Sequence, residues 1–120
     1  MTTTPILAMP NFNETFTIET NTSRDGIGAV LTQQGRPIAF MSWALGVTKR
    51  TLSIYAKEML AILQAVRTWR LYLLGRKFFI QIDQRSLKYL MEQRIRTTEQ
   101  QKWVAKLSGY DYEIVYRPRH

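Results

Sequence analysis

One stretch governs what this 120-residue chain can fold into. From about Thr51 to Leu74, the residues Tyr55, Met59, Ile62, Val66, Trp69 and Leu73 recur at three- and four-residue steps. That is the period of a helix with one apolar face. Thr51 or Ser53 is placed to cap its start, and Gly75 to end it in the left-handed conformation. The segments on either side have a different period. Phe16 to Asn21 alternates Phe16, Ile18 and Thr20 against Thr17, Glu19 and Asn21, as a strand does. Ile27 to Gln33 and Ile38 to Trp43 read as two more strands, with Gly28 and Ala29 small enough for close packing. Ser23-Arg24-Asp25-Gly26 and Gln34-Gly35-Arg36-Pro37 are the turns between them. Three strands with short turns make an antiparallel meander. Lys77 to Asp83 is a fourth strand. Because a long helix precedes it, it is expected to lie parallel to the first through a right-handed crossover.

After Asp83, Ser86 to Met91 reads as a short helix. Thr97 stands three residues before Gln100, a capping-box spacing that opens a helix through Leu107, stopped by Ser108-Gly109. Tyr110 to Tyr116 alternates again and predicts a fifth strand. The order βββ-α-β-αα-β is that of an α/β domain with a mixed five-stranded sheet. Residues 1–13, with Pro5 and Pro10, read as an extended lead-in and residues 14–120 as the domain.

Composition narrows the function classes. No run of 18 apolar residues occurs, so no membrane-spanning helix is expected, and the start of the chain shows no signal-peptide pattern. The chain has no cysteine, which removes thiolate metal sites and disulfides and fits a reducing, intracellular setting, cytoplasmic or nuclear. The formal net charge of +8 points to a partner with phosphates, or to a basic surface that only aids solubility.

In sheets with crossover helices, functional groups gather at the carboxyl ends of parallel strands. Asn21 ends the first strand and Asp83 the fourth, so neighbouring strands would bring the two to one sheet edge. Glu58 falls on or beside the apolar stripe of the long helix. An acid there is costly unless a cation or donor neutralises it. Two readings stay open: a plain salt bridge, or one of several carboxylates around metal ions. Carboxylates converging on one point are what a pair of Mg²⁺ ions needs, and two such ions about 4 Å apart cleave phosphodiesters.

Several runs carry a resemblance to a known family. They are Pro5-Ile6-Leu7-Ala8-Met9-Pro10-Asn11-Phe12, Ile18-Glu19-Thr20-Asn21-Thr22-Ser23, Gly26-Ile27-Gly28-Ala29-Val30-Leu31, Pro37-Ile38-Ala39-Phe40, Tyr55-Ala56-Lys57-Glu58-Met59-Leu60-Ala61, Trp69-Arg70-Leu71-Tyr72-Leu73, Asp83-Gln84-Arg85-Ser86-Leu87-Lys88-Tyr89-Leu90 and Gln101-Lys102-Trp103. Through them the chain resembles the ribonuclease H domain that follows reverse transcriptase in gypsy-type retrotransposon polyproteins. The resemblance implies the ribonuclease H-like fold with sheet order 3-2-1-4-5. It also implies bound Mg²⁺ or Mn²⁺, a reverse transcriptase neighbour, and cleavage of the RNA strand of an RNA–DNA hybrid.

The family pattern ends its first strand Thr-Asp-Ala-Ser, whereas this chain reads Thr20-Asn21-Thr22-Ser23. Asn21 therefore stands where the first metal-bridging aspartate belongs, while Glu58 and Asp83 match the helix glutamate and the second aspartate. The family continues past the last strand to a further aspartate in an Ala-Asp-Ala-Leu-Ser-Arg phrase. This sequence ends at His120, after Tyr116-Arg117-Pro118-Arg119, so that acidic segment is expected to be lacking. A neutral amide is a poor bridge between divalent ions. Weak or no metal binding and at most residual nuclease activity are expected; the alternative is a non-catalytic module on this fold that binds nucleic acid or contacts protein, a partner or a second copy of itself.

Other residues admit plainer readings. Arg85 and Lys88 are either phosphate contacts or a solvated helix face. Arg94 and Arg96 read as surface charge. Trp43, Trp69 and Trp103 read as core rather than stacking platforms. His120 is terminal and Ser23 lacks a histidine partner, which leaves no support for nucleophilic catalysis.

Overall fold

The computed structural model describes residues 7–47, 54–82 and 107–116. Three strands come first: β1 (Phe16–Thr22), β2 (Gly26–Gln33) and β3 (Arg36–Ala44). A helix α1 (Ile54–Thr68) and a helical turn α2 (Arg70–Leu73) follow, then β4 (Lys77–Ile82) and β5 (Asp111–Tyr116). The five strands form one sheet in the order β3-β2-β1-β4-β5. β1 pairs antiparallel with β2, and β2 with β3. β1 pairs parallel with β4, and β4 with β5. The order and the mixed sense match the expectation, because α1 returns the chain to β1's other side in the same direction. The two helices expected between Asp83 and Leu107 lie outside the described residues.

The alternation of β1 sorts its side chains. Phe16, Ile18 and Thr20 are buried, whereas Thr17 and Glu19 are half-buried and Asn21 is exposed. The buried set continues across the sheet as Ala29 and Leu31, Ala39 and Met41, and Phe78, Ile80 and Ile82. α1 lays Met59, Ile62, Leu63 and Val66 on that face, at the spacing the sequence predicts. Each fully buried aliphatic side chain there contributes about 1.5–3 kcal/mol. Trp69 belongs to the same cluster, and Trp43 packs half-buried against it and against Ile27, Leu45 and Ala61. Trp103 lies outside the described residues.

Two boundaries differ from the sequence reading. The long helix is interrupted: Trp69 departs from helical torsions (φ −102°, ψ 27°), and the chain resumes as α2. Trp69 and Leu73 are both buried across this break. Gly75 then takes φ 81°, the left-handed stop expected of it. β3 begins at Arg36 rather than Ile38, because the turn before it uses only two residues. Gln34 and Gly35 both have positive φ (50° and 78°), the type I′ pattern whose twist matches a hairpin. Pro37 then sits inside β3, where it is tolerated because β3 is an edge strand. The segment before β1 runs along that edge: the Leu7 and Ala8 N–H groups donate to the Ile38 carbonyl at 2.7 and 3.4 Å.

Candidate functional site at the carboxyl edge of the sheet

Parallel pairing of β1 with β4 brings their carboxyl ends to one edge of the sheet. Asn21 is the last residue but one of β1, and Ile82 closes β4. Asp83, Arg85 and Lys88 follow in sequence and lie outside the described residues. Asn21 pairs with Gly28 on β2. Its side chain extends across β2, with Oδ1 only 2.8 Å from where a Cβ on Gly28 would sit. The amide therefore rests directly on the glycine.

The turn after Asn21 is held from within, by Leu45 and by α1. The Ser23 N–H donates to the Gly26 carbonyl at 2.9 Å, and the Gly26 N–H to Ser23 Oγ at 3.1 Å. The Leu45 N–H donates to the Asp25 carbonyl at 2.7 Å. From α1, Lys57 Nζ donates to the carbonyls of Ser23 and Arg24 at 3.1 and 3.0 Å. Lys57 is only 6% exposed, so its ammonium is desolvated and these charge-assisted bonds carry weight.

Lys57 also fixes where Glu58 lies. Its reach to Ser23, two residues beyond Asn21, seats the second turn of α1 against the corner where β1 ends. Glu58, the next residue, is 6% exposed. Asn21 and Glu58 sit on different elements. Asn21 is in the set of β1 side chains turned away from the core, while Glu58 is on the helix covering the core face.

The candidate donors among the described residues are the Glu58 carboxylate and the Asn21 amide. Among the described residues no group of three or more His, Cys, Asp and Glu is placed to hold a metal ion. A pair of divalent cations demands several anionic oxygens, and an amide supplies none. The described residues do not fit such a pair.

Sequence reasoning overlooked Lys57 and saw only part of Gly28's role. A lysine in helical phase with Ala61 and Gln64 was the available signal for Lys57. Its acceptors are backbone carbonyls, which leave no trace in the sequence. Gly28 was readable as a close-packing position, but what packs on it was not.

Residues 11–110 match the family of RNase H-like domains found in reverse transcriptase. Over 112 residues the chain is 39% identical to the retrovirus-related Pol polyprotein from transposon 297 of Drosophila melanogaster. The match covers 93% of this chain and 11% of that polyprotein, so the chain spans about a tenth of the relative's length. Among solved structures, a foamy viral protease-reverse transcriptase in complex with dsDNA superposes with a TM-score of 0.76 at 16% identity, covering 95% of this chain and 25% of that one. LC11-RNase H1 in complex with RNA/DNA hybrid superposes with a TM-score of 0.65 at 16% identity, over 87% and 86% of the two chains.

Proposed function

This chain belongs to the RNase H-like domains found in reverse transcriptase, of the retrotransposon kind, and from that premise we propose that it is a form of the domain whose nuclease activity is lost or strongly reduced. Its ancestral chemistry is Mg²⁺- or Mn²⁺-dependent cleavage of the RNA strand of an RNA–DNA hybrid. One observation carries the reading: an intact sheet edge presents an amide, Asn21, where the family pattern has its first acid. The amide has nearly the shape of a carboxylate and none of its charge, so it keeps the geometry while removing a metal ligand. Glu58 and Asp83 remain as the acidic positions.

The test is cleavage of a labelled RNA–DNA hybrid in Mg²⁺ and in Mn²⁺, by this chain and by its Asn21→Asp variant. The chain is expected to be at or near background, and the variant to exceed it by about two orders of magnitude, some 2.7 kcal/mol of barrier. Robust turnover by the unaltered chain would refute the inactivity. No gain in the variant would show that the defect lies elsewhere.

The charge of +8 favours a second reading, a non-catalytic binder of hybrid or duplex whose contacts are to phosphates, Arg85 and Lys88 among them. Its affinity would fall steeply with salt as counterions are released. Absence of binding at low salt excludes it and favours a protein-contact role, as a homodimer or beside a reverse transcriptase domain in a longer polyprotein. Among the described residues no helix is long and apolar enough to cross a membrane, and an intracellular location goes with either reading.

A further inference from the structure

We propose that Gly28 is a positioning residue for the side chain at position 21, the floor that sets where that side chain's oxygen points. The proposal rests on the reading of position 21 as the family's first acidic position. A glycine inside a strand weakens it, since it adds backbone freedom and packs nothing. Some demand must therefore hold it there. Backbone conformation is not that demand: Gly28 is not among the positive-φ glycines, which are Gly35, Gly75 and Gly109. Space is. A Cβ at Gly28 would stand 2.8 Å from Asn21 Oδ1 and 3.5 Å from its Cγ. It would also meet the Met41 backbone carbonyl at 3.3 Å, a tight contact with an atom that cannot rotate away.

The two residues are directly opposite in the β1–β2 ladder, so their side-chain positions share one patch of sheet surface. With hydrogen at position 28, the residue-21 head group lies down across β2. With a methyl there it must lift or turn, and its oxygen leaves the sheet edge. The constraint acts equally on an aspartate, whose Oδ1 has the same reach. Gly28 has no side chain of its own to offer; it acts through residue 21.

A double-mutant cycle in thermal unfolding tests this without any activity. Gly28→Ala should lower the Tm by about 5 °C or more beside Asn21, and by clearly less in an Asn21→Ala background, where only the Met41 carbonyl is met. Equal losses in the two backgrounds would overturn the proposal. Failure of Gly28→Ala to fold in both would overturn it too, because the loss would then not depend on residue 21.

A second readout separates positioning from mere packing. In the Asn21→Asp chain, Mn²⁺ uptake followed by the signal of free Mn²⁺ should weaken about tenfold when Gly28→Ala is added, as for residues that orient a ligand. Unchanged affinity would overturn the positioning role. If Asn21→Asp takes up no Mn²⁺ at all, the proposed function fails, and the unfolding cycle still decides the role of Gly28.

Discussion

The two ends of the central strand are fastened by different chemistry. Where β1 begins, the buried side chain of Gln33 clamps the chain before it. The Asn11 N–H donates to Gln33 Oε1 at 2.8 Å, and Gln33 Nε2 donates to the carbonyls of Asn11 and Glu14 at 2.6 and 3.1 Å. Phe12 then stacks on Tyr72, meets Phe16 edge-on, and carries the Arg76 guanidinium 4.7 Å above its ring. Arg76 also donates to the Phe12 carbonyl at 3.0 Å. Where β1 ends, a single buried ammonium, Lys57, gathers the turn carbonyls instead. A neutral amide that satisfies its own donors and acceptor is cheap to bury, whereas a cation is not. The first end is therefore built for tethering alone. The second sets a positive charge on the turn that follows Asn21.

Four substitutions sharpen or break that contrast. Gln33→Ala should be the most damaging, at about 3 kcal/mol, since it empties the space of a fully buried side chain and removes its three hydrogen bonds to the Asn11 and Glu14 backbone. Urea unfolding measures it, and a loss below about 1 kcal/mol would erase the contrast. Lys57→Met keeps the buried stem but removes the donors, and about 2 kcal/mol is expected. Hydrogen exchange should then quicken in the Ser23–Gly26 turn and stay unchanged at Asn11. Phe12→Leu removes two ring contacts and one cation–ring contact for about 1 kcal/mol. The smallest effect belongs to Lys77 and Glu113, an ion pair at 3.0 Å with both side chains 53% exposed. Glu113→Gln should leave the Tm at neutral pH unchanged within error.

The same pair gives a pH dependence with a definite sign. The hydrogen bond from Lys77 to Glu113, aided by that carboxylate's charge, raises the Lys77 pKa above its usual 10.5. A raised folded-state pKa adds stability that is complete below the unfolded value and is lost as pH climbs through the folded one. Any contribution therefore fades only in strong alkali, and solvent keeps it small. Whatever small Tm gap separates the protein from Glu113→Gln below that range should close there.

What the sequence disclosed follows from what its patterns encode. The alternation at Phe16, Ile18 and Thr20 and the three-four spacing from Met59 to Trp69 are statements about faces, and the core obeys them. The strand order needed only the length of the helical stretch and the handedness of a crossover. Trp69 escaped because a break that keeps the same residues buried leaves the apolar spacing intact. Gln34 escaped because positive φ is uncommon for glutamine, so the turn read as longer than it is. At the site, Asn21 was legible as a strand end with the wrong head group. Lys57 and Gln33 were not legible as clamps, because both grip backbone atoms that every residue carries alike.

The Ile38 carbonyl bonded by Leu7 and Ala8 bears on how this protein behaves in a crowd. An uncovered outermost strand invites the same strand of another molecule, and such stacking can propagate into fibrils. Chains clipped to begin at Met9 would bare that strand and should turn concentrated samples cloudy, while the unclipped chain stays clear.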